Sequence, residues 1–105
     1  MVPPLHLVVV LTLLMASGAA AHSWYDLICC NTDDCAPVKA HVIRATADGW
    51  LVEVRPGEHL YATRPIQKLI PYDSTKVRPS QDSDFHLCLG KSGAIYCIYV
   101  PVFGS

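Results

Sequence analysis

The fold is decided by residues 85–100, which read FHLCLGKSGAIYCIYV. The apolar runs on either side of Ser92-Gly93 predict a β-hairpin with these two residues as its turn. Counting back from that turn places Cys88 opposite Cys97 at a non-hydrogen-bonded pair, where Cα atoms lie about 4.5 Å apart. A disulfide tolerates that separation. We therefore predict first a Cys88–Cys97 bridge, whose short loop limits its stabilisation to roughly 2–3 kcal/mol.

A second hairpin is predicted over residues 38–55, around the strong turn signal Asp48-Gly49. Pairing outward from that turn sets Arg44 opposite Glu53, an opposite-charge cross-strand pair. The same register places the apolar residues of both strands together on the other face. Because one register satisfies both patterns, the two strands are expected to pair in this way.

Weaker signals lie between the hairpins and before them. Residues 66–70 could form a short strand, although residues 63–65 could equally open a helical turn. Ser23 and Asp26 are spaced as in a capping box, which predicts a short helix ending near Asn31. Together these segments predict a mainly β fold, a small disulfide-stapled domain of two β-hairpins with a short N-terminal helix.

The first part of the chain has the layout of a secretory signal peptide. Residues 5–16 are almost wholly apolar, and the small-residue tract that follows ends at Ala21 with an Ala-x-Ala cleavage pattern. We predict a signal peptide over residues 1–21 and a single small cysteine-rich domain over residues 22–105, periplasmic or secreted. Since no Lys or Arg precedes the apolar run, the alternative is an uncleaved N-terminal membrane anchor. No later apolar run is long enough to span a bilayer.

The charge balance argues against nucleic acid as a partner. Eight Lys and Arg stand against nine Asp and Glu, a formal charge of −1, and the sequence shows no basic stripe. No grouping of Ser, His and Asp indicates catalysis. Asp33, Asp34, Asp82 and Asp84 lie in polar turns, where Asp commonly caps the backbone or is solvated. We therefore expect that the protein is not an enzyme.

Five cysteines cannot all pair within one chain, so one is left over. After Cys88–Cys97, the second predicted bridge joins Cys35 to Cys29 or Cys30. An alternative connects Cys29 or Cys30 with Cys88 or Cys97, which would close a longer loop and stabilise more. Spacing alone does not choose between these arrangements. Export would place the bridges in an oxidising compartment.

Cleavage after Ala21 would make His22 the first residue, with its α-amine beside its imidazole. These two nitrogens can chelate one copper ion, and nitrogen ligands suit Cu(II). His86 is the candidate further ligand, because it lies beside Cys88 on the last predicted hairpin. The alternative is that a terminal histidine is incidental and the protein takes no cofactor.

Four motifs occur in a specific order: HSWY at residues 22–25, CCx4C at 29–35, HxC at 86–88 and YCxxVP at 96–101. This order resembles a family of small exported, cysteine-rich proteins, mostly from alphaproteobacteria. The resemblance covers nearly the whole chain beyond residue 21. It implies export and a disulfide-rich fold with five cysteines as part of the pattern, and it implies no particular activity.

Residues 92–96, Ser-Gly-Ala-Ile-Tyr, resemble the Ser-Gly-x-x-Tyr loop of small periplasmic lysozyme inhibitors, which implies Ser92 and Gly93 as a binding loop. Three functional hypotheses follow. The first is a non-enzymatic binding or structural module for an unknown protein or small ligand in the periplasm or extracellular space. The second is a copper-binding protein that uses His22, and the third is an inhibitor of a cell-wall lytic enzyme.

Overall fold

The computed structural model describes residues 24–30 and 34–102. The predicted signal peptide, residues 1–21, and the predicted copper ligand His22 lie outside the described residues. Within them, regular structure consists of one 3₁₀ turn at Ala40–Val42 and seven strands. The strands are β1 (Cys35–Val38), β2 (Ile43–Thr46), β3 (Gly49–Val54), β4 (Ile66–Ile70), β5 (Val77–Pro79), β6 (Phe85–Leu89) and β7 (Ile95–Val100).

The strands form two sheets, which confirms the mainly β, disulfide-stapled class. One sheet has the order β1-β6-β7-β5 and the other the order β2-β3-β4. Neighbouring strands are antiparallel except for β5 and β7, which are parallel. Residues 66–70 form β4, so the strand interpretation of that segment is confirmed.

The predicted short N-terminal helix has its two ends, Ser23 and Asn31, outside the described residues. Between them, the N–H groups of Cys29 and Cys30 both donate to the Asp26 carbonyl, at 2.9 and 3.0 Å. Residues 24–30 are called the N-terminal segment below. In the part of the chain that the structure describes, no helix is long and apolar enough to cross a membrane.

The main core lies between the two sheets, and strand alternation decides which side chains enter it. Leu87 and Leu89 of β6 are fully buried there, and each contributes about 1.5–3 kcal/mol by leaving water. Their neighbours His86 and Cys88 point to the opposite face. That outer face carries a second buried cluster, formed by Cys29, Cys88, Cys97 and Tyr99.

The first hairpin forms, but its turn residues are Ala47 and Asp48 rather than Asp48-Gly49. β3 begins at Gly49, which pairs with Thr46 of β2. The Thr46 hydroxyl donates to the Gly49 carbonyl at 2.7 Å and accepts the Asp48 N–H at 3.3 Å, which closes the turn. The predicted register is therefore wrong by two residues.

This shift places Leu51, not Glu53, directly opposite Arg44. Because the shift is two residues, every side chain keeps its face and the apolar surface of the hairpin is preserved. Arg44 still forms an ion pair with Glu53 by reaching diagonally across the strands. Both side chains are about half exposed, so the pair contributes at most about 1 kcal/mol.

The last hairpin pairs Cys88 with Cys97 as predicted, but with a longer turn. The Gly90 N–H donates to the Ala94 carbonyl at 2.8 Å, so the turn contains three residues, Lys91, Ser92 and Gly93, instead of two. Tyr96 is then an extra residue in β7 and forms a β-bulge.

The two disulfides are Cys29–Cys97 and Cys35–Cys88. β1 lies beside β6 on the side away from β7, which sets Cys35 directly opposite Cys88 with their Cα atoms 4.0 Å apart. The N-terminal segment covers the same face and brings the Cα atom of Cys29 to 5.4 Å from that of Cys97. Cys30 takes part in neither bridge.

Both primary disulfide predictions are therefore wrong. Cys88 does lie opposite Cys97. However, β6 is an interior strand that also pairs with β1, and Cys88 is bonded to Cys35 of that strand. Cys35 consequently bonds neither Cys29 nor Cys30. The longer-loop alternative, Cys29 with Cys97, is the one that the structure contains.

Candidate functional site

The N-terminal segment packs its aromatic residues on the outer face of β6 and β7. The Trp24 ring lies edge-on to His86 and to Tyr99, with centroid distances of 4.8 and 5.1 Å. The Asp26 N–H donates to the Tyr99 hydroxyl at 2.9 Å, and Arg78 donates to the Asp26 carboxylate at 2.8 Å. The segment is thus held by ring packing, hydrogen bonds and the Cys29–Cys97 bridge together.

A chain of hydrogen bonds links this segment to the sheet: it runs from Tyr25 of the segment through His86 of β6 to Asp82. His86 Nε2 lies 2.8 Å from Asp82 Oδ1, and His86 Nδ1 lies 2.7 Å from the Tyr25 hydroxyl. A carboxylate only accepts, so we assign the ring proton to Nε2, and Nδ1 accepts from Tyr25. In this arrangement both ring nitrogens of His86 have a hydrogen-bond partner.

The pKa values of the two outer groups fit that assignment. Burial, and after it the Asp82 charge, raises the pKa of Tyr25 to about 12, so its hydroxyl remains a donor. The hydrogen bond from His86 lowers the pKa of Asp82, with further bonds from the Asp84 N–H and the Ser80 hydroxyl. Asp82 therefore stays a carboxylate over the physiological range.

An acid–histidine–hydroxyl chain is also the arrangement of catalytic triads, but here the hydroxyl is held in its protonated form. A nucleophile needs its conjugate base to be accessible, whereas burial disfavours the Tyr25 phenolate. His86 is only 3% exposed. The chain of hydrogen bonds therefore anchors the N-terminal segment to the sheet.

His86 is not presented as a copper ligand. A metal needs a ring-nitrogen lone pair, and the lone pair on Nδ1 accepts the Tyr25 hydroxyl while Nε2 faces Asp82. Copper binding by His86 would have to break one of these bonds. Among residues 24–30 and 34–102, no three His, Cys, Asp or Glu side chains form a possible metal site.

Replacing Asp82 by Asn is expected to remove a pH dependence of stability. The pKa of Asp82 is lower in the folded than in the unfolded chain, so protonation favours unfolding. Its contribution is complete above the ordinary Asp value of about 3.9 and is lost as the pH falls through the lower folded value. Urea unfolding should show that the free energy of unfolding of the wild type exceeds that of the variant by less and less as the pH falls from about 5 to about 2. Asp73→Asn is the control, and an advantage constant with pH would contradict the prediction.

Ser92 and Gly93, the predicted binding loop, lie at the tip of the last hairpin. Ser92 is exposed, and both residues line a cleft of about 220 Å³. The Ser92 carbonyl lies 3.4 Å from the Arg64 guanidinium, and Lys91 Nζ lies 6.0 Å from the centre of the Tyr61 ring. The tip is therefore flanked by cations.

A second cleft of about 220 Å³ adjoins the first, and Ile66 and Gly93 line both. The two clefts together are called the basic groove. Four exposed cations line it, half of the eight in the chain: Arg64, Lys68, Lys76 and Lys91. Within the described ranges, none of the four forms an ion pair, and no Asp or Glu there lines the groove.

Two larger clefts lack this single sign of charge. A cleft of about 600 Å³ beside β1 and β6 is lined by Lys39 and Asp84. Another, of about 570 Å³, is lined by Glu53 and Arg55. Because opposite charges compensate in both, the basic groove is the candidate site that carries a net preference for a charged ligand.

Sequence reasoning missed the basic groove because its cations are spread over residues 64–91. Their spacing follows neither a helical nor a strand period, so no stripe is visible. They meet only because the last hairpin folds back beside β4. Asp82 is an exposed turn residue that accepts the Asp84 N–H, as the sequence indicated, and it also holds His86, which the sequence did not indicate.

No protein-family model matches the chain, and searches of curated proteins and of solved structures found no match.

Proposed function

We propose that this protein is an exported, non-enzymatic binding domain that uses its basic groove to hold an anionic partner. The observation that carries the proposal is the convergence of Arg64, Lys68, Lys76 and Lys91 without a neutralising carboxylate along the groove. The formal charge of the chain is −1, so this collection of cations is not a by-product of a basic composition.

The scaffold supports a preformed site. The strands that lead to the hairpin tip are bonded at Cys88 and Cys97 to other parts of the fold. A rigid loop loses little conformational entropy on binding, so more of the interaction energy appears as affinity. The same disulfides are typical of oxidising compartments, which supports export.

The groove also favours binding over turnover. Its side chains are cations, hydroxyls, an amide, a ring and aliphatic groups, and no histidine or carboxylate, the commonest general acids and bases, lines it. The Asp82–His86–Tyr25 chain, in which only the histidine is buried, anchors the N-terminal segment to the sheet. The groove therefore has no histidine or carboxylate base beside its hydroxyls, the pairing that commonly activates a serine nucleophile.

Binding of anionic polymers tests the proposal. Inorganic polyphosphate and poly-L-glutamate, titrated by calorimetry into the purified protein, should bind at low salt and progressively less as salt screens the charges. Lys91→Glu should weaken binding about fivefold to tenfold, because it reverses a charge in the groove. Lys39→Glu makes the same change of net charge elsewhere and should have little effect. Absence of binding to both polymers, or equal weakening by the two variants, would contradict the proposal.

A further inference from the structure

The strand β4 forms one wall of the basic groove and is an edge strand. It pairs with β3 on one side and is last in the order β2-β3-β4 of the described sheet. Ile66, Gln67 and Lys68 of β4 line the groove. An edge strand presents outward N–H and C=O groups at every second residue, and these can pair with another extended chain.

The opposite wall of the groove comes from the tip of the last hairpin and the start of β7. β5 pairs only with Ile98–Val100, the second half of β7. Gly93, Ala94 and Ile95, at the tip of the last hairpin and the start of β7, line the groove instead. The two sheets thus leave an opening between the edge of β4 and the first half of β7.

Prolines set the length over which β4 can pair. Pro65 precedes Ile66, and Pro71 follows Ile70. A proline has no N–H and cannot extend a ladder of hydrogen bonds. A partner strand can therefore pair with β4 over about five residues, the length of the strand itself.

We propose that the basic groove takes an extended acidic peptide segment, which pairs with β4 as an added strand. The inference rests on the proposed function and names the partner chemistry. Backbone hydrogen bonds to β4 would supply affinity and orientation, as in other cases of strand addition. Lys68 on β4 and Lys76 on the facing loop would pair with carboxylates at alternate positions of the peptide.

Charge alone makes a different prediction from strand addition. A lysine on an edge strand commonly prevents unwanted strand pairing. If that is the role of Lys68, it would disfavour any added strand, including an acidic one. Polyphosphate has the charge of an acidic peptide but no amide groups. A peptide with methylated backbone nitrogens keeps its carboxylates and loses its N–H donors.

The test compares three probes on the full protein: a short peptide of alternating Glu and Thr, the same peptide N-methylated along its interior, and polyphosphate. N-methylation should weaken peptide binding at least about tenfold, the equivalent of 1.4 kcal/mol. Amide hydrogen exchange of β4 should slow when the unmodified peptide binds and remain unchanged with polyphosphate. Lys68→Glu should weaken peptide binding, and the matched variant Lys39→Glu should not.

Each other outcome has a definite meaning. Equal binding of the two peptides, or peptide binding without slower exchange in β4, would overturn strand addition and leave the anion-binding function in place. If neither the peptides nor polyphosphate binds, the proposed function itself fails.

Discussion

Replacing Cys29 and Cys97 together by alanine is expected to lower the free energy of unfolding by about 3 kcal/mol. The bridge joins residues 68 positions apart, and the Cys35–Cys88 bridge inside that loop joins residues 53 positions apart. With Cys35–Cys88 intact, the Cys29–Cys97 bridge closes a further loop of about 15 residues in the unfolded chain. Cys29 and Cys97 are also 1% and 3% exposed, and truncation removes packing around them. The free energy of unfolding of a small domain is roughly 5–15 kcal/mol, so the double variant should be only marginally stable at physiological temperature.

Urea unfolding followed by tryptophan fluorescence measures this loss, since Trp24 lies on the segment that the bridge holds. The control is Cys30→Ala, which keeps both disulfides and should change the free energy of unfolding by less than about 1 kcal/mol. Intact mass before and after reduction verifies two bridges in the control and one in the double variant. A loss below about 1 kcal/mol in the double variant would show that ring packing and hydrogen bonds hold the segment without the bridge.

The substitution Gly49→Ala is expected to cost about 2–5 kcal/mol. Gly49 has φ +148°, a conformation that side chains with a Cβ rarely adopt. A Cβ at this position would also lie 2.5 Å from the Ile70 carbonyl oxygen. That atom belongs to the backbone of β4, so relief requires the strand itself to move.

Gly57→Ala is the matched control. Gly57 also has positive φ, +90°, but nothing lies within 4 Å of the Cβ that alanine would add. Its cost should be only the conformational part, about 1–2 kcal/mol. The difference between the two losses in free energy of unfolding, measured with urea, gives the cost of the steric overlap between a side chain at residue 49 and the backbone of β4. Equal losses would show that this overlap has no energetic cost.

Gly49 also explains why the register of the first hairpin could not be predicted. An Asp-Gly pair ordinarily occupies the two central turn positions. Here Gly49 lies one position later, directly after the two central turn residues, where the backbone of β4 is too close for any side chain. The hairpin and its apolar face depend on local residues, whereas the register depends on β4, which begins at Ile66, 17 positions after Gly49.

His86 shows the same division for the hydrogen bonds that anchor the N-terminal segment. Its place on the last hairpin beside Cys88 could be predicted, because strand periodicity is local. Its chemistry could not, since that depends on Asp82 and Tyr25 arriving at its two ring nitrogens. Tyr25 comes from a segment 61 positions away, and no spacing rule connects the two.

The sequence by itself determined the mainly β class, the two hairpin segments and the surplus of one cysteine, because turn residues and side-chain alternation act over a few neighbours. Only the tertiary structure decided which cysteines bond and that Arg64, Lys68, Lys76 and Lys91 share one groove. Both outcomes depend on which strands become neighbours. That choice is made by burying the apolar faces of two sheets against each other, a requirement of the whole chain that no single stretch expresses.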